Sequence, residues 1–276
     1  MQCVDLCSHT GKRLGMTPPG EVSKPNLDKL RQCYGLPPDP QLDMLHRYLY
    51  LAFLPPAFLH PDLAPPPTVH FLRPVSFNRS GTEALPAWIA RLPARPTVHA
   101  SLGTVFHRTP GVFEAIIEGL RDQAINLIVA VGRDQDPAAF GIPPPNVWIE
   151  GYIPHTLLLP HCDAVITHGG FSSVMACIEQ GLPMVALPLA GGDQPGNSAR
   201  SAALGVARVV GPDERKPTLI REAVLDVLHD PTYRKKAHRL KQDLQSLPPV
   251  EDAVELLQRL AHEKGPINAR QEGRPT

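Results

Sequence analysis

The sequence predicts an α/β fold built on a doubly wound parallel sheet, and three observations carry that expectation. From residue 97 onward, short apolar runs recur at 97–100, 126–131, 147–150, 164–167, 184–187 and 207–210, each of strand length rather than helix length. Segments with helical spacing lie between most of them, the alternation of βαβ units whose strands are buried on both faces. The run at 164–167 passes straight into His168-Gly169-Gly170, where two glycines allow a sharp turn and leave amide groups uncovered. A helix opening near Ser172 and Ser173 offers free N–H groups and the positive end of its dipole, which suits a phosphate or pyrophosphate.

The elements follow in order along the chain. Residues 1–25 carry Gly, Pro, Lys and Ser without apolar periodicity and are expected as a loose arm. Asn26 can cap a short helix that runs to Cys33 and ends at Gly35, and a second helix is expected over 41–48, after Pro40. The proline-bounded runs 49–53 and 68–72 predict two strands, 83–92 predicts another helix, and Pro93 to Pro96 marks a boundary. The main α/β domain spans 97–264, with ligand-lining loops at the carboxyl ends of its strands. Helices near 218–229, 231–245 and 250–263 close it, and 265–276 reads as a tail.

Composition narrows the partners. The 27 Lys and Arg balance the 27 Asp and Glu, so no long-range field draws the chain to nucleic acid or an anionic membrane. The basic face of Arg234-Lys235-Lys236 with Arg239 and Lys241 lacks interleaved aromatics and reads as solvated. No apolar run approaches the roughly 20 residues of a membrane span. Cys3, Cys7, Cys33, Cys162 and Cys177 form an odd set without zinc-site spacing, and no apolar leader precedes them, so a reduced, cytoplasmic setting is expected.

The candidate ligand residues sit at strand ends. Ser101-Leu102-Gly103-Thr104 places two hydroxyls and a glycine on a turn suited to diphosphate oxygens, although Ser and Thr in turns also bond their own backbone. Gly151-Tyr152-Ile153-Pro154-His155 sets an aromatic ring and an imidazole on a constrained loop where a flat base could stack, the competing reading being core packing. Asp134-Gln135-Asp136 follows Gly132 and precedes Pro137, so a solvated turn is favoured and no metal is expected.

Taken together, His168-Gly169-Gly170, Ser173, Gly181-Leu182-Pro183 and Asp193-Gln194 form a spaced series that resembles the donor-binding signature of family 1 glycosyltransferases of the two-Rossmann, GT-B type. The resemblance covers about residues 97–262, a Rossmann-like carboxyl-terminal domain. A weaker match over 26–96 looks like an incomplete amino-terminal α/β segment, the end of an acceptor domain with its linker. What it implies is a nucleotide diphosphate sugar as donor substrate, no cofactor and no metal. By resemblance, Tyr152 and His155 serve the base; His168, Gly170 and Ser173 hold phosphate, with Gly169 in the same turn and Ser172 able to meet phosphate through its hydroxyl. Asp193 and Gln194 match the pair that bonds sugar hydroxyls, and Asn197 frames the loop.

Two departures accompany the match. Where the family places a glutamate for the ribose hydroxyls, eight residues after the histidine, this sequence has Ala176, and Glu179 lies about one turn further on. The family's general base belongs to an early loop of the acceptor domain, and no residue here matches it; His9 precedes Gly11 in a polar arm without a preceding strand and reads as a surface histidine.

The function expected is transfer of a hexose from a nucleotide diphosphate sugar to a small, apolar acceptor hydroxyl. A second reading is a non-catalytic sugar-nucleotide module, or a donor subunit that needs a partner chain; a sugar-nucleotide epimerase ranks third. Because the strands at 49–53 and 68–72 lack the neighbours of a complete sheet, a partner chain or self-association through their edges is also expected.

Overall fold

In this computed structural model, residues 19–40, 42–62, 64–75, 82–104, 108–189 and 192–269 are described, with side chains from Pro25 onward. Residues 1–18 of the expected arm, with His9, Cys3 and Cys7, lie outside them, as do Gly191 and residues 270–276 of the expected tail.

Helix α1 spans Pro19–Cys33 and contains Pro25, so it begins earlier than the expected start at Asn26. The helix expected over 41–48 is instead a single 3-10 turn, Asp43–Leu45, preceded by Leu42 at φ 58°. The Asp39 carboxylate explains the difference, because it accepts the N–H groups of Asp43 (2.9 Å) and Met44 (3.0 Å) and holds the chain in a local turn. Strands β1 (Tyr50–Ala52) and β2 (Val69–Phe71) pair in parallel, Tyr50 opposite Val69. The helix expected over 83–92 is reduced to a 3-10 turn, Ile89–Arg91. Pro86 interrupts it, and Trp88 is anchored sideways, stacked on Trp148 (centroids 5.7 Å apart) and donating its indole N–H to Glu150 Oε1 (3.0 Å).

The main domain is a six-stranded, all-parallel sheet of β3 (Thr97–Ser101), β4 (Asn126–Ala130), β5 (Val147–Glu150), β6 (Ala164–Thr167), β7 (Met184–Ala186) and β8 (Ala207–Val209), in the order β5-β4-β3-β6-β7-β8. Helices α2 (Val112–Leu120), α3 (His155–Leu158), α4 (Phe171–Gln180), α5 (Gln194–Ala203), α6 (Pro217–His229), α7 (Pro231–Gln245) and α8 (Asp252–Glu263) follow their strands or close the chain. The period-2 geometry of the strands feeds two cores. Leu127, Val129, Ile166 and Val185 face α2 and α6, while Ile128, Val165 and Met184 face α4 and α7. Both faces are thus covered, the reason these strands read as continuous apolar runs.

Strand order reverses between β3 and β6, since the chain winds outward to β5 and returns to the other side of β3. At such a switch point the loops leaving adjacent strands part, and a crevice opens at their carboxyl ends.

The start of the expected tail is bound to the amino-terminal segment. Ile267 is fully buried; its N–H donates to Tyr48 O (2.7 Å), its carbonyl accepts from His70 Nε2 (2.9 Å), and Ala269 N–H donates to Pro67 O (2.8 Å). Among the described residues, no helix is long and apolar enough to cross a membrane.

Candidate functional site

A cavity of about 1010 Å³ opens at the carboxyl ends of the strands. Ten of the predicted residues line it: Ser101, Gly103 and Thr104 after β3; Tyr152 and His155 after β5; His168, Gly170, Ser172 and Ser173 after β6; and Asp193 after β7. Loops far apart in sequence meet here because parallel strands all deliver their carboxyl ends to one edge.

His168 is set by its glycines. A Cβ at Gly103 would lie 2.6 Å from its Cε1, and one at Gly170 would lie 2.4 Å from its Nε2, so only glycine leaves room for the ring on both sides. Gly103 also sits at φ 79°, a conformation that glycine adopts without strain. Gly170 caps α4, and Val174 is the first residue of that helix whose N–H bonds back, to Gly170 O (3.0 Å). The amides of Ser172 and Ser173 are therefore unused within the helix, and both residues line the cavity, a helix start that suits an anion.

The side chains behind the wall brace this turn. Gly169 does not line the cavity; at φ 82° it backs onto α5, where a Cβ would lie 2.3 Å from Ser198 Oγ. Asn197 Nδ2 donates to Gly169 O (3.0 Å) and to Asp193 Oδ2 (2.9 Å), so it holds the two loops together from behind. Asp193 Oδ2 also accepts the Phe171 N–H (2.8 Å) at the first turn of α4. Gln194 is only 3% exposed and outside the cavity, and its Oε1 accepts from Leu189 N–H (2.9 Å), an anchor for the loop after β7. The structure therefore separates the pair expected to face sugar hydroxyls: Asp193 reaches the cavity and Gln194 does not.

Three histidines run from core to cavity. Burial lowers the pKa of His168, and nearby Asp193 opposes the shift. Burial, then the neighbouring His168, lowers that of His155. Behind them His99 of β3 is fully buried, its pKa pushed down to about 3 by burial and then by His155. All three are neutral at pH 7, so each offers one N–H donor and one acceptor nitrogen.

Other residues of the wall escaped the motif reading. Arg133 lies over the Tyr152 ring, its Cζ 3.6 Å from the centroid, and both line the cavity. Its only sequence signal is position, one residue beyond the glycine that ends the β4 run. Phe53, Pro74, Val75 and Val250 form an apolar side of the same cavity, brought there by the β1 and β2 ends and the loop before α8. Ala176 lines the cavity from α4, and Glu179 does not. The Asp134-Gln135-Asp136 run is a local turn: Asp134 pairs with Arg108, Gln135 Nε2 donates to Val131 O (2.6 Å), and Asp136 Oδ1 accepts from Ala138 N–H (2.9 Å). Among the described residues, no group of three or more His, Cys, Asp or Glu could hold a metal ion.

The family described as "Erythromycin biosynthesis protein CIII-like, C-terminal domain" matches residues 83–260. The chain belongs to this family. It is 32% identical over 213 residues to the 4'-demethylrebeccamycin synthase of Lentzea aerocolonigenes, covering 77% of this chain and 50% of that protein. It is also 32% identical over 210 residues to the 10-deoxymethynolide desosaminyltransferase of Streptomyces venezuelae, covering 74% and 48%. Among solved structures, the calicheamicin glycosyltransferase CalG4 aligns with a TM-score of 0.72 at 27% identity, over 93% of this chain and 66% of that one. The glycosyltransferase VinC, solved in complex with DTDP, aligns with a TM-score of 0.68 at 25% identity, over 78% and 52%. The chain thus spans about half the length of the curated relatives it matches, and the six-stranded sheet of this family member is the carboxyl-terminal domain of the GT-B architecture.

Proposed function

We propose that this chain is the donor-binding half of a metal-independent glycosyltransferase, which moves a hexose from a nucleotide diphosphate sugar to a small, apolar acceptor hydroxyl. The observation that carries the reading is the His168 ring held between Gly103 and Gly170 at the start of α4, with Ser172 and Ser173 lining the same cavity. Residues 97–264 form the donor domain in this reading, and 26–96 belong to the acceptor side and linker.

The diphosphate sits against His168, Gly170, Ser172 and Ser173, with Ser101 and Thr104 lining the same cavity. Tyr152 and His155 receive the base, and Asp193 bonds a sugar hydroxyl, while Gly169, Gln194 and Asn197 shape the turn from behind. As the acceptor hydroxyl attacks the anomeric carbon and passes its proton to a base of the acceptor domain, the bond to the diphosphate breaks and negative charge grows on the leaving oxygen. Donors already fixed in place stabilise that charge without reorganisation. The apolar side made by Phe53, Pro74, Val75 and Val250 faces the same space and suits an apolar acceptor. The names of the relatives support this reading, since they include a desosaminyltransferase and a calicheamicin glycosyltransferase.

Calorimetric titration with uridine and thymidine 5′-diphosphates tests the donor site. Binding is expected, together with its loss in His168→Ala at unchanged melting temperature; no binding of any nucleoside diphosphate would sink the reading. Assays of donor hydrolysis and of transfer to phenolic and lipid acceptors then separate turnover from binding alone.

A further inference from the structure

His99 stands in the middle of β3, fully enclosed between Val98 and Ala100, at a position where an apolar side chain would meet the burial of the whole strand. Its Nδ1 lies 3.1 Å from Ile128 O. A carbonyl oxygen only accepts, so Nδ1 carries the proton and Nε2 is a bare acceptor. That Nε2 is buried and has no hydrogen-bond partner among the described residues. A buried acceptor left unpaired destabilises a fold, and an apolar residue of similar size removes the penalty.

The neighbour that gives the ring a role is His155. The two rings meet edge to face, 5.1 Å between centroids at 79°, the arrangement aromatic pairs prefer. His155 opens α3 directly after Pro154, lines the cavity and stands near His168. A helix of four residues holds its first side chain weakly by itself, whereas a ring packed against an immobile strand in the middle of the sheet is held firmly.

We propose that His99 is a positioning residue of the donor site: its ring, fixed in β3, sets the plane of His155 so that the imidazole meets the nucleotide in one orientation. The inference rests on the donor-site reading above. It differs from an ordinary packing role in one respect, because removal of His99 relieves the fold while it impairs the ligand.

The test is a double-mutant cycle read by uridine 5′-diphosphate affinity together with melting temperature. His99→Leu is expected to melt no lower than the wild type at neutral pH, yet to bind about tenfold more weakly, the coupling typical of residues in contact. His99→Phe, which keeps an edge-to-face ring, is expected to retain more affinity than the leucine variant. In a His155→Ala background, His99→Leu is expected to cause no further loss. Wild-type affinity in His99→Leu overturns the inference, as does an equal loss in both backgrounds. Should the leucine variant fail to fold, His99→Met, which also lacks a ring, carries the same comparison across the two backgrounds. Failure of the wild-type protein to bind uridine or thymidine 5′-diphosphate overturns the donor-site reading and this inference with it.

Discussion

Gly170 isolates the function of a single missing methyl group. Its φ of −62° suits any residue, so alanine leaves the backbone unstrained, but the new Cβ would lie 2.4 Å from His168 Nε2. Gly170→Ala is expected to displace the imidazole and weaken nucleoside diphosphate binding about tenfold or more, the scale of one or two charge-assisted hydrogen bonds. Its melting temperature should stay within a few degrees of the wild type; unchanged affinity would show that His168 does not meet the ligand. His99 makes a pH prediction of the same scale. Its folded pKa of about 3 lies below the ordinary histidine value of 6.5, so between those limits the unfolded chain binds more protons and stability falls as pH falls. Its ring is faced by His155, then His168, with Asp193 beyond. Melting temperature is expected to drop from pH 7 toward pH 4, by up to a few kcal/mol in stability, and less steeply in His99→Leu. The glycine turn and the helix start at 168–173 were legible in sequence because backbone freedom is a local property. Gln194 was not, since the Leu189 amide it holds across the loop is no feature of a motif.

At the scale of elements, the six strands from 97 to 210 were legible to within a residue or two, because burial on both faces makes each a continuous apolar run. The helices expected at 41–48 and 83–92 were not. Asp39 captures two amides in the first, and the Trp88 anchor to Trp148 and Glu150 outweighs helical spacing in the second. Helix pairing supplies a test. At Gly119 of α2, a Cβ would lie 2.4 Å from Pro217 O at the start of α6. Gly119→Ala improves intrinsic helix propensity, yet it must push the two helices apart. The expected outcome is a net loss of about 1–3 kcal/mol by denaturant unfolding, and a gain in stability would refute the tight approach.

Over the whole molecule, residues 267–269 tie the end of the chain to the β1–β2 pair, with Arg73 N–H donating to Pro248 O (2.8 Å) as a second link. Ile267→Ala removes a fully buried side chain, a change that typically costs about 2–5 kcal/mol. It is expected to speed hydrogen exchange at Leu72 and the β2 amides while β3, β4 and β6 keep their protection; uniform acceleration would mean that the two parts unfold as one. Among the described residues β1 and β2 have only each other as strand neighbours, so sedimentation should detect self-association if their outer edges pair, and a strict monomer would oppose it. The sequence by itself determined the α/β class, the strand positions and the glycine turn into a helix at 167–173, since each follows from local periodicity or backbone freedom. Only the tertiary structure decided which residues share the cavity, that Gln194 turns away from it, and that His99 stands behind His155. Those outcomes depend on strand order and on contacts between segments distant in sequence, which no local pattern encodes.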